Sequence, residues 1–236
     1  MTSTDIVIVS YKDQSDLLVC MASIKRYCSD YNLIIEDNNA DNRGFSKAVN
    51  DGIKKGNADF VWLLNSDAII VNEETQQALI NHFSYSHRVG LTGSMQIDPE
   101  NHDRIAYGGS QRAFPSGIHK GGLLSMSHCQ IPEKQTWLNF ASVMLRRDMI
   151  NKIGLLDEKM FLLYSDSSYC YTAREHGYEA WYVPRSQVYH TLKASKGVSE
   201  WHLKDMQAFM NKWGIEAVGP NQFAYSDRFS KLDMFP

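Results

Sequence analysis

The sequence is poor in several things that would each dictate a class of protein. It has only four cysteines, Cys20, Cys28, Cys129 and Cys170, and no two of them form a C-x-x-C pair. Their scatter supports neither a disulfide framework nor a zinc site, so reduced thiols in a cytosolic compartment are expected. No apolar run is long enough to span a bilayer. The polar residues 1–5 lead straight into a strand-like segment, without the pattern of a signal peptide. The chain is therefore expected to be cytoplasmic, reaching any membrane-linked partner peripherally, from the inner membrane surface. Neither sign of charge dominates: the net charge is only −3 and acidic and basic residues are interspersed. That argues against nucleic acid held by bulk electrostatics. Gly-rich phosphate loops are missing too. There is no G-x-G-x-x-G after the first strand-like segment and no G-x-x-x-x-G-K-[ST] anywhere, which disfavours the common dinucleotide and P-loop modes. Internal repeats and low-complexity linkers are absent. At 236 residues with ordinary apolar content, one domain with a sizeable core is expected.

What is present begins with Ile6-Val7-Ile8-Val9, a short β-branched run that reads as a buried strand of a parallel sheet. Ser15 or Asp16 is placed to cap a helix carrying Leu17, Leu18, Met21 and Ile24. Leu33-Ile34-Ile35 reads as a second buried strand. Residues 42–55 have helical spacing, with Phe45, Ala48, Val49 and Ile53 on one side and Gly56 as the stop. Residues 60–64 read as a third strand, 73–85 as a helix and 89–92 as a fourth strand. This β-α-β-α-β-α-β order implies an α/β fold with a mostly parallel, doubly wound, Rossmann-like sheet and helices on both faces. Residues 95–135 lack a clear period and are rich in Gly, Ser, His and Pro, which suggests hairpins and long loops of the kind that carry function. Regular structure is expected again over 137–145, a helix over 167–176, a strand over 180–183 and an amphipathic helix over 199–213.

Ligands of open α/β sheets bind beyond the carboxyl ends of the strands. Polar clusters occupy those places here. Ser10-Tyr11 follows the first strand, Glu36-Asp37-Asn38-Asn39 the second and Asn65-Ser66-Asp67 the third. Carboxylates beside amides suit ribose hydroxyls, base edges and a hard cation, whereas a bare phosphate needs donors. A diphosphate facing these acids requires a bridging divalent cation, Mg²⁺ or Mn²⁺.

The order of these clusters resembles the family-2 glycosyltransferases. Val9-Ser10-Tyr11-Lys12 resembles their T-Y-N, Glu36-Asp37-Asn38 their V-D-N, and Asn42-Arg43-Gly44-Phe45 with Asn50 their N-x-G-F-x-x-x-x-N. Leu64-Asn65-Ser66-Asp67 resembles their L-N-x-D. Farther on, Met144-Leu145-Arg146-Arg147 and Gly154-Leu155-Leu156-Asp157-Glu158 resemble M-L-I-R-R and G-G-F-D-E. Residues 161–177 resemble F-F-x-Y-x-E-D-x-D-L with an R-x-x-G-Y ending, and Val188-Tyr189-His190 resembles the closing V-x-H. The likeness spans roughly residues 5–195, and a rhamnosyltransferase-like branch is compatible with it. It implies a GT-A (nucleotide-diphospho-sugar transferase) fold in a single domain, with a nucleotide-binding half over 1–94 and an acceptor half over 95–236. It also implies an inverting transfer from a nucleotide-diphosphate sugar, UDP-linked first and dTDP-linked second, to a glycan or lipid-linked acceptor, as in polysaccharide biosynthesis.

Carried over residue by residue, the resemblance assigns nucleotide binding to Ser10, Tyr11, Asp37, Asn38, Gly44, Phe45, Asn50 and Asn65, with Asp37 reading the base. It assigns the metal to Asp67 and His190, and the catalytic base to Asp166. The sequence departs from the pattern at Ser165 and Ser168, which replace a Glu and an Asp beside Asp166, at Phe140 where Gly is usual, and at Lys12. Each residue also has a plainer reading. Asp37 and Asp67 suit strand-end turns, Asp166 suits a helix cap, His190 suits a structural histidine, and Gly108-Gly109 suits a turn. Trp62 is a core residue. Trp137 and Trp201 suit either core packing or sugar stacking. Lys193 and Lys196 are either solvated charges or part of a lid over 190–201. Two other functions stay open at this point: a sugar nucleotidyltransferase, disfavoured because Lys12-Asp13-Gln14-Ser15 is no basic Gly-rich loop, and an inactive nucleotide-sugar-binding module.

Overall fold

The computed structural model describes residues 3–191 and 198–233. The first half runs β1 (Thr4–Ser10), α1 (Gln14–Tyr27), β2 (Tyr31–Asp37), α2 (Phe45–Lys55), β3 (Phe60–Leu64), β4 (Ile69–Ile70), α3 (Glu74–His82) and β5 (Val89–Ile97). A hairpin of β6 (Arg104–Arg112) and β7 (Ile118–Ser125) follows, then β8 (Glu133–Gln135), β9 (Ser142–Arg146), α4 (Arg147–Ile153), α5 (Ser165–Glu175) and β10 (Glu179–Tyr189). The chain then forms α6 (Val198–Trp213), a small ladder of β11 (Ile215–Gly219) with β12 (Gln222–Tyr225), and α7 (Asp227–Asp233). Among the described residues no helix is long and apolar enough to cross a membrane.

The main sheet has the order β2-β1-β3-β9-β5-β10-β4. Strands β1, β2 and β3 pair in parallel, as do β5 and β10. The sheet is thus mostly parallel, as expected: β9 lies antiparallel between β3 and β5, and the edge strand β4 runs antiparallel to β10. The apolar runs of β1 and β3 are continuous because both faces of the sheet are covered. Ile6 and Ile8 pack with Leu17, Cys20 and Ile24 of α1 and Leu79 of α3, while Val7 packs on the other face with Val49 and Ile53 of α2. Trp62, fully buried, is core as expected. Strand β2 is the exception: Leu33, Ile34 and Ile35 are only half-buried, because β2 is the edge of the sheet.

Two local expectations change. Helix α1 starts at Gln14, with Asp13 at the cap position. Neither Ser15 nor Asp16 caps it. Asp13 turns its carboxylate to Ser10 Oγ (2.7 Å) and Ser66 Oγ, so it ties the ends of β1 and β3 together and does not close the helix. Strand β10 continues beyond Val183 through Pro184 to Tyr189, and the ladder with β5 absorbs the proline by a register shift between Val183 and Gln187. The Arg pair of the M-L-R-R stretch is architectural. Arg146 donates to the carbonyls of Val89 and Phe83, and Arg147 donates to those of Ala58 and Ile53 and to buried Asp5 (2.7 Å). These bonds staple β9 and α4 to the first half.

Candidate active site

The carboxyl ends of β1 and β2 carry the first cluster. Parallel pairing puts Ser10 opposite Asp37. Tyr11 and Asp37 are exposed, and the Lys12 ammonium sits 5.0 Å over the Tyr11 ring. Asp37 accepts from the backbone N–H of Asn39 (2.9 Å) and from its side-chain amide (2.7 Å). These bonds hold its carboxyl below the usual range, so it is ionised at neutral pH. Asn38 is buried and shapes the turn into α2: its amide donates to Asn42 Oδ1 and the Gly44 carbonyl, and its oxygen accepts from Arg43 N–H. Asn50 is buried as well. Its side chain exchanges two hydrogen bonds with the Leu156 backbone and donates to Glu158, tying α2 to the second half. Neither amide lines the cavity that Asp166 faces.

Gly44 marks the point where the halves touch. It has φ +82°, and a Cβ there would fall 2.6 Å from the Phe161 ring and 2.7 Å from the Phe161 carbonyl oxygen, so no other residue fits. The N–H of Phe45 donates to that same carbonyl (2.7 Å), and Ser46 Oγ donates to the Met160 carbonyl (2.6 Å). On its other side the 161–164 loop is held by α6. Buried Asp205 accepts from three consecutive backbone N–H groups, those of Phe161, Leu162 and Leu163, at 2.7, 2.8 and 2.7 Å. Trp201 stacks on Phe161 with centroids 3.9 Å apart. Tyr164, at φ +60°, donates to the Pro115 carbonyl and lies 3.1 Å from His202. The loop so clamped delivers Asp166 two residues later, in the first turn of α5.

Asp166 faces a cavity of about 560 Å³. Of the residues singled out from sequence, Phe45, Asn65, Asp67, Asp166 and His190 line this one cavity, together with Trp137 and Phe140. Ser10, Tyr11, Asp37, Asn38, Gly44 and Asn50 do not line it. Asp67 and Asp166 are the two carboxylates among its described lining residues. Burial pushes the Asp166 carboxyl up to about 6, against the opposing hydrogen bond from Ser167 N–H to its Oδ1 (2.7 Å). Asp166 is therefore inside the helix and not its cap, a position that Tyr164 occupies. The two serines around it have a structural account. Ser165 is buried, and buried Ser168 accepts from Trp213 Nε1 (3.2 Å), so an acid at 168 would be a charge pressed against the indole.

In the same cavity, His190 Nε2 lies 3.3 Å from Asp67 Oδ1 and 3.3 Å from Asn65 Nδ2. An imidazole nitrogen beside a carboxylate oxygen is a mixed N/O donor pair that suits Mn²⁺ as well as harder Mg²⁺. Among the described residues no cluster of three or more His, Cys, Asp or Glu groups exists, so a cation here would draw its remaining ligands from the bound molecule and water. The residues fit such an ion on that condition. Lys193 and Lys196, and the middle of the lid expected over 190–201, lie outside the described residues.

Several residues of the site carried no signal in the sequence. His119 lines the cavity from β7, with its imidazole held down in pKa by burial and 5.1 Å from the Trp137 ring. Trp137, which the sequence did single out, is buried as a core residue and also lines the cavity. Asp205 sits on a helix whose pattern reads as an ordinary amphipathic surface.

This mixed, mostly parallel sheet with helices on its faces is that of a GT-A domain. Residues 1–211 match the family described as "Glycosyltransferase like family 2", and the chain belongs to that family. No curated protein sequence matches it. Among solved structures, GalNAc-T7 with UDP, GalNAc and Mn²⁺ is similar at a TM-score of 0.71 and 16% identity, over 90% of this chain and 48% of that one. The mannosyltransferase PcManGT from Pyrobaculum calidifontis, in complex with GDP-Man and Mn²⁺, is similar at 0.61 and 12%, over 98% and 67%. S. aureus TarS is similar at 0.56 and 12%, over 80% and 37%. The chain thus spans about half the length of the first of these, and at such identities the likeness is one of fold.

Proposed function

We propose that this domain transfers a sugar from a nucleotide-diphosphate donor to a hydroxyl of a saccharide or other glycan acceptor, with inversion at the anomeric carbon. The observation that carries the reading is the placement of Asp166. It is a carboxylate poised near neutrality, in the same cavity as the Asp67–His190 pair. A general base works best with a pKa near the operating pH.

In the proposed step the acceptor oxygen attacks the anomeric carbon and its proton passes to an oxygen of Asp166. The bond from that carbon to the diphosphate oxygen breaks, and the nucleoside diphosphate leaves. A divalent cation, when bound, offsets the charge gathering on that leaving group. Asp67 and His190 are the residues to hold it, with Asn65 beside them. At the edge of β1 and β2, Asp37, Ser10 and Tyr11 take the nucleoside. An ionised carboxylate at Asp37 suits the imide N–H of a pyrimidine, which makes UDP-sugars the first choice and dTDP-sugars the second. The Mn²⁺ complexes of GalNAc-T7 and PcManGT support the cation, and their different nucleotides make the base the point to test.

A thermal-shift and calorimetric screen of UDP, dTDP and GDP and their sugars, with and without Mn²⁺, tests the donor. Release of nucleoside diphosphate with and without added glycan acceptors tests the transfer, and the product's anomeric configuration tests inversion. A chain that binds a donor yet never releases diphosphate with any acceptor is a binding module. One that makes sugar nucleotides from triphosphates is a nucleotidyltransferase.

A further inference from the structure

We infer that Gln96 is a positioning residue that keeps the proton of His190 on Nδ1, leaving Nε2 as a lone pair facing Asp67. The hydrogen-bond part of this inference stands without a metal. Its use in metal binding rests on the function proposed above.

The argument starts from a donor whose chemistry is fixed. The backbone N–H of Ala141 donates to the side chain of Asn139 at 2.9 Å, and only the amide oxygen, Oδ1, can accept it. The same Oδ1 accepts a second bond, 3.0 Å, from Gln96 Nε2. The amide nitrogen of Gln96 is thereby committed, and its Oε1 is the atom 2.9 Å from His190 Nδ1. A carbonyl oxygen only accepts, so Nδ1 carries hydrogen. In a neutral imidazole the other nitrogen is then an acceptor. The contact at that nitrogen agrees: Asn65 approaches Nε2 with its NH₂ group. Each amide orientation follows from its neighbour, back to a peptide N–H that cannot be turned round.

The fold holds the relay in place. Gln96 is fully buried on β5 and His190, also buried, follows directly on β10. Parallel pairing sets Val188 opposite Gln96 and Tyr189 opposite Ile97, and His190 N–H donates to the Ile97 carbonyl at 3.0 Å. With Gln96 shut off from solvent, water cannot replace its carbonyl at Nδ1.

The consequence is a choice between two sites. With the proton on Nε2, His190 would donate to Asp67 and the pair would satisfy itself. With the proton on Nδ1, a nitrogen lone pair and a carboxylate oxygen stand 3.3 Å apart with no hydrogen between them. That arrangement is repulsive alone and favourable around a cation. Gln96 therefore selects the open form, in the way that partners of metal-binding imidazoles set which nitrogen coordinates.

The test is a two-bond ¹H–¹⁵N correlation spectrum of the metal-free, ¹⁵N-labelled protein at about pH 8.5. Its eight histidines are sorted by the signal lost in His190→Asn. His190 should show a protonated Nδ1 and an unprotonated Nε2. Gln96→Leu removes the acceptor and should shift His190 toward the Nε2–H form. It should also weaken Mn²⁺ binding in the presence of UDP about 10–100-fold, read by the electron paramagnetic resonance of free Mn²⁺. Gln96→Glu keeps an acceptor oxygen and should keep the tautomer. Should Gln96→Leu fail to fold, Asn139→Ala, at a half-buried position, loosens the same relay from its other end and should populate the Nε2–H form in part. A parent His190 protonated on Nε2 overturns the inference. So does a tautomer unmoved in folded Gln96→Leu or, should that variant not fold, in Asn139→Ala. If the Nδ1–H form is found but Mn²⁺ does not bind with any nucleotide, the relay stands and the metal assignment falls.

Discussion

Replacing Asp166 by Asn should make the protein more stable and almost inactive, and the gain in stability should depend on pH in one direction only. The carboxyl has an ordinary value of 3.8 in the unfolded chain and about 6 in the fold, raised by burial. Below about pH 4 both states hold the proton and the group contributes nothing. Between 4 and 6 the unfolded chain has released its proton and the folded one has not, so stability falls as pH rises. Above 6 both are ionised and the full penalty persists. Carrying a carboxyl from 3.8 to about 6 corresponds to about 3 kcal/mol. Because the side chain is only half-buried, water trims that figure and it is a ceiling. Asn has no proton to release and keeps an oxygen for the Ser167 N–H. For a domain of this size about 1 kcal/mol corresponds to roughly 2–4 °C, so Asp166→Asn should melt up to about 6–12 °C above the parent at pH 8. The difference should vanish near pH 4. Transfer should drop about 10²–10⁴-fold, and in the parent kcat/KM should rise with pH through about 6. The assays are melting curves across pH 4–8 beside donor-binding and transfer rates. A variant that melts below the parent at pH 8 would show that the carboxylate serves the fold. One that transfers at close to the parent rate would remove Asp166 as the base.

Asp67→Ala should abolish the part of donor binding that depends on the cation; UDP affinity in Mn²⁺ equal to the parent's would move the metal elsewhere. Asp37→Ala should weaken nucleoside diphosphate binding about tenfold, with or without metal, and an unchanged calorimetric affinity would take Asp37 out of the site. Asp205→Ala should leave three half-buried N–H groups without their acceptor, costing on the order of 3 kcal/mol in urea unfolding. Amide exchange should then quicken at Phe161, Leu162 and Leu163, and unaltered exchange there would mean the clamp is not what holds the loop.

Much of this was legible in the sequence, for physical reasons that also explain the gaps. Residues 60–64 read as a strand because sheet burial on both faces leaves no polar position, and β3 has those bounds. Strand direction has no such signature. Val143, Met144 and Leu145 are apolar whichever way they run, so the antiparallel insertion of β9 is a property of packing alone. The strand expected over 180–183 was too short, because it bulges past Pro184 and continues to Tyr189. In the cavity, Asn65, Asp67, Asp166 and His190 stood out because their types and order form a pattern. Gln96, His119 and Asp205 did not. A buried glutamine or aspartate has meaning only through its partner, here His190 just past the end of a neighbouring strand and three amides more than forty residues away.

The place of β9 in the sheet also bears on how the chain is made. When β3 leaves the ribosome, its open side carries unpaired backbone groups flanked by Val61, Trp62 and Leu63, all destined for the core. The strand that covers it is translated about 80 residues later. At roughly 5–20 residues per second, that apolar sheet edge stays open for about 4–16 s. An uncovered edge of this kind is a template for pairing with a neighbour. The nascent chain is thus most prone to aggregate after the first half is synthesised and before residue 146 emerges, so slowing translation within residues 65–141 should lower the soluble yield, and a chaperone that shields strand edges should restore it.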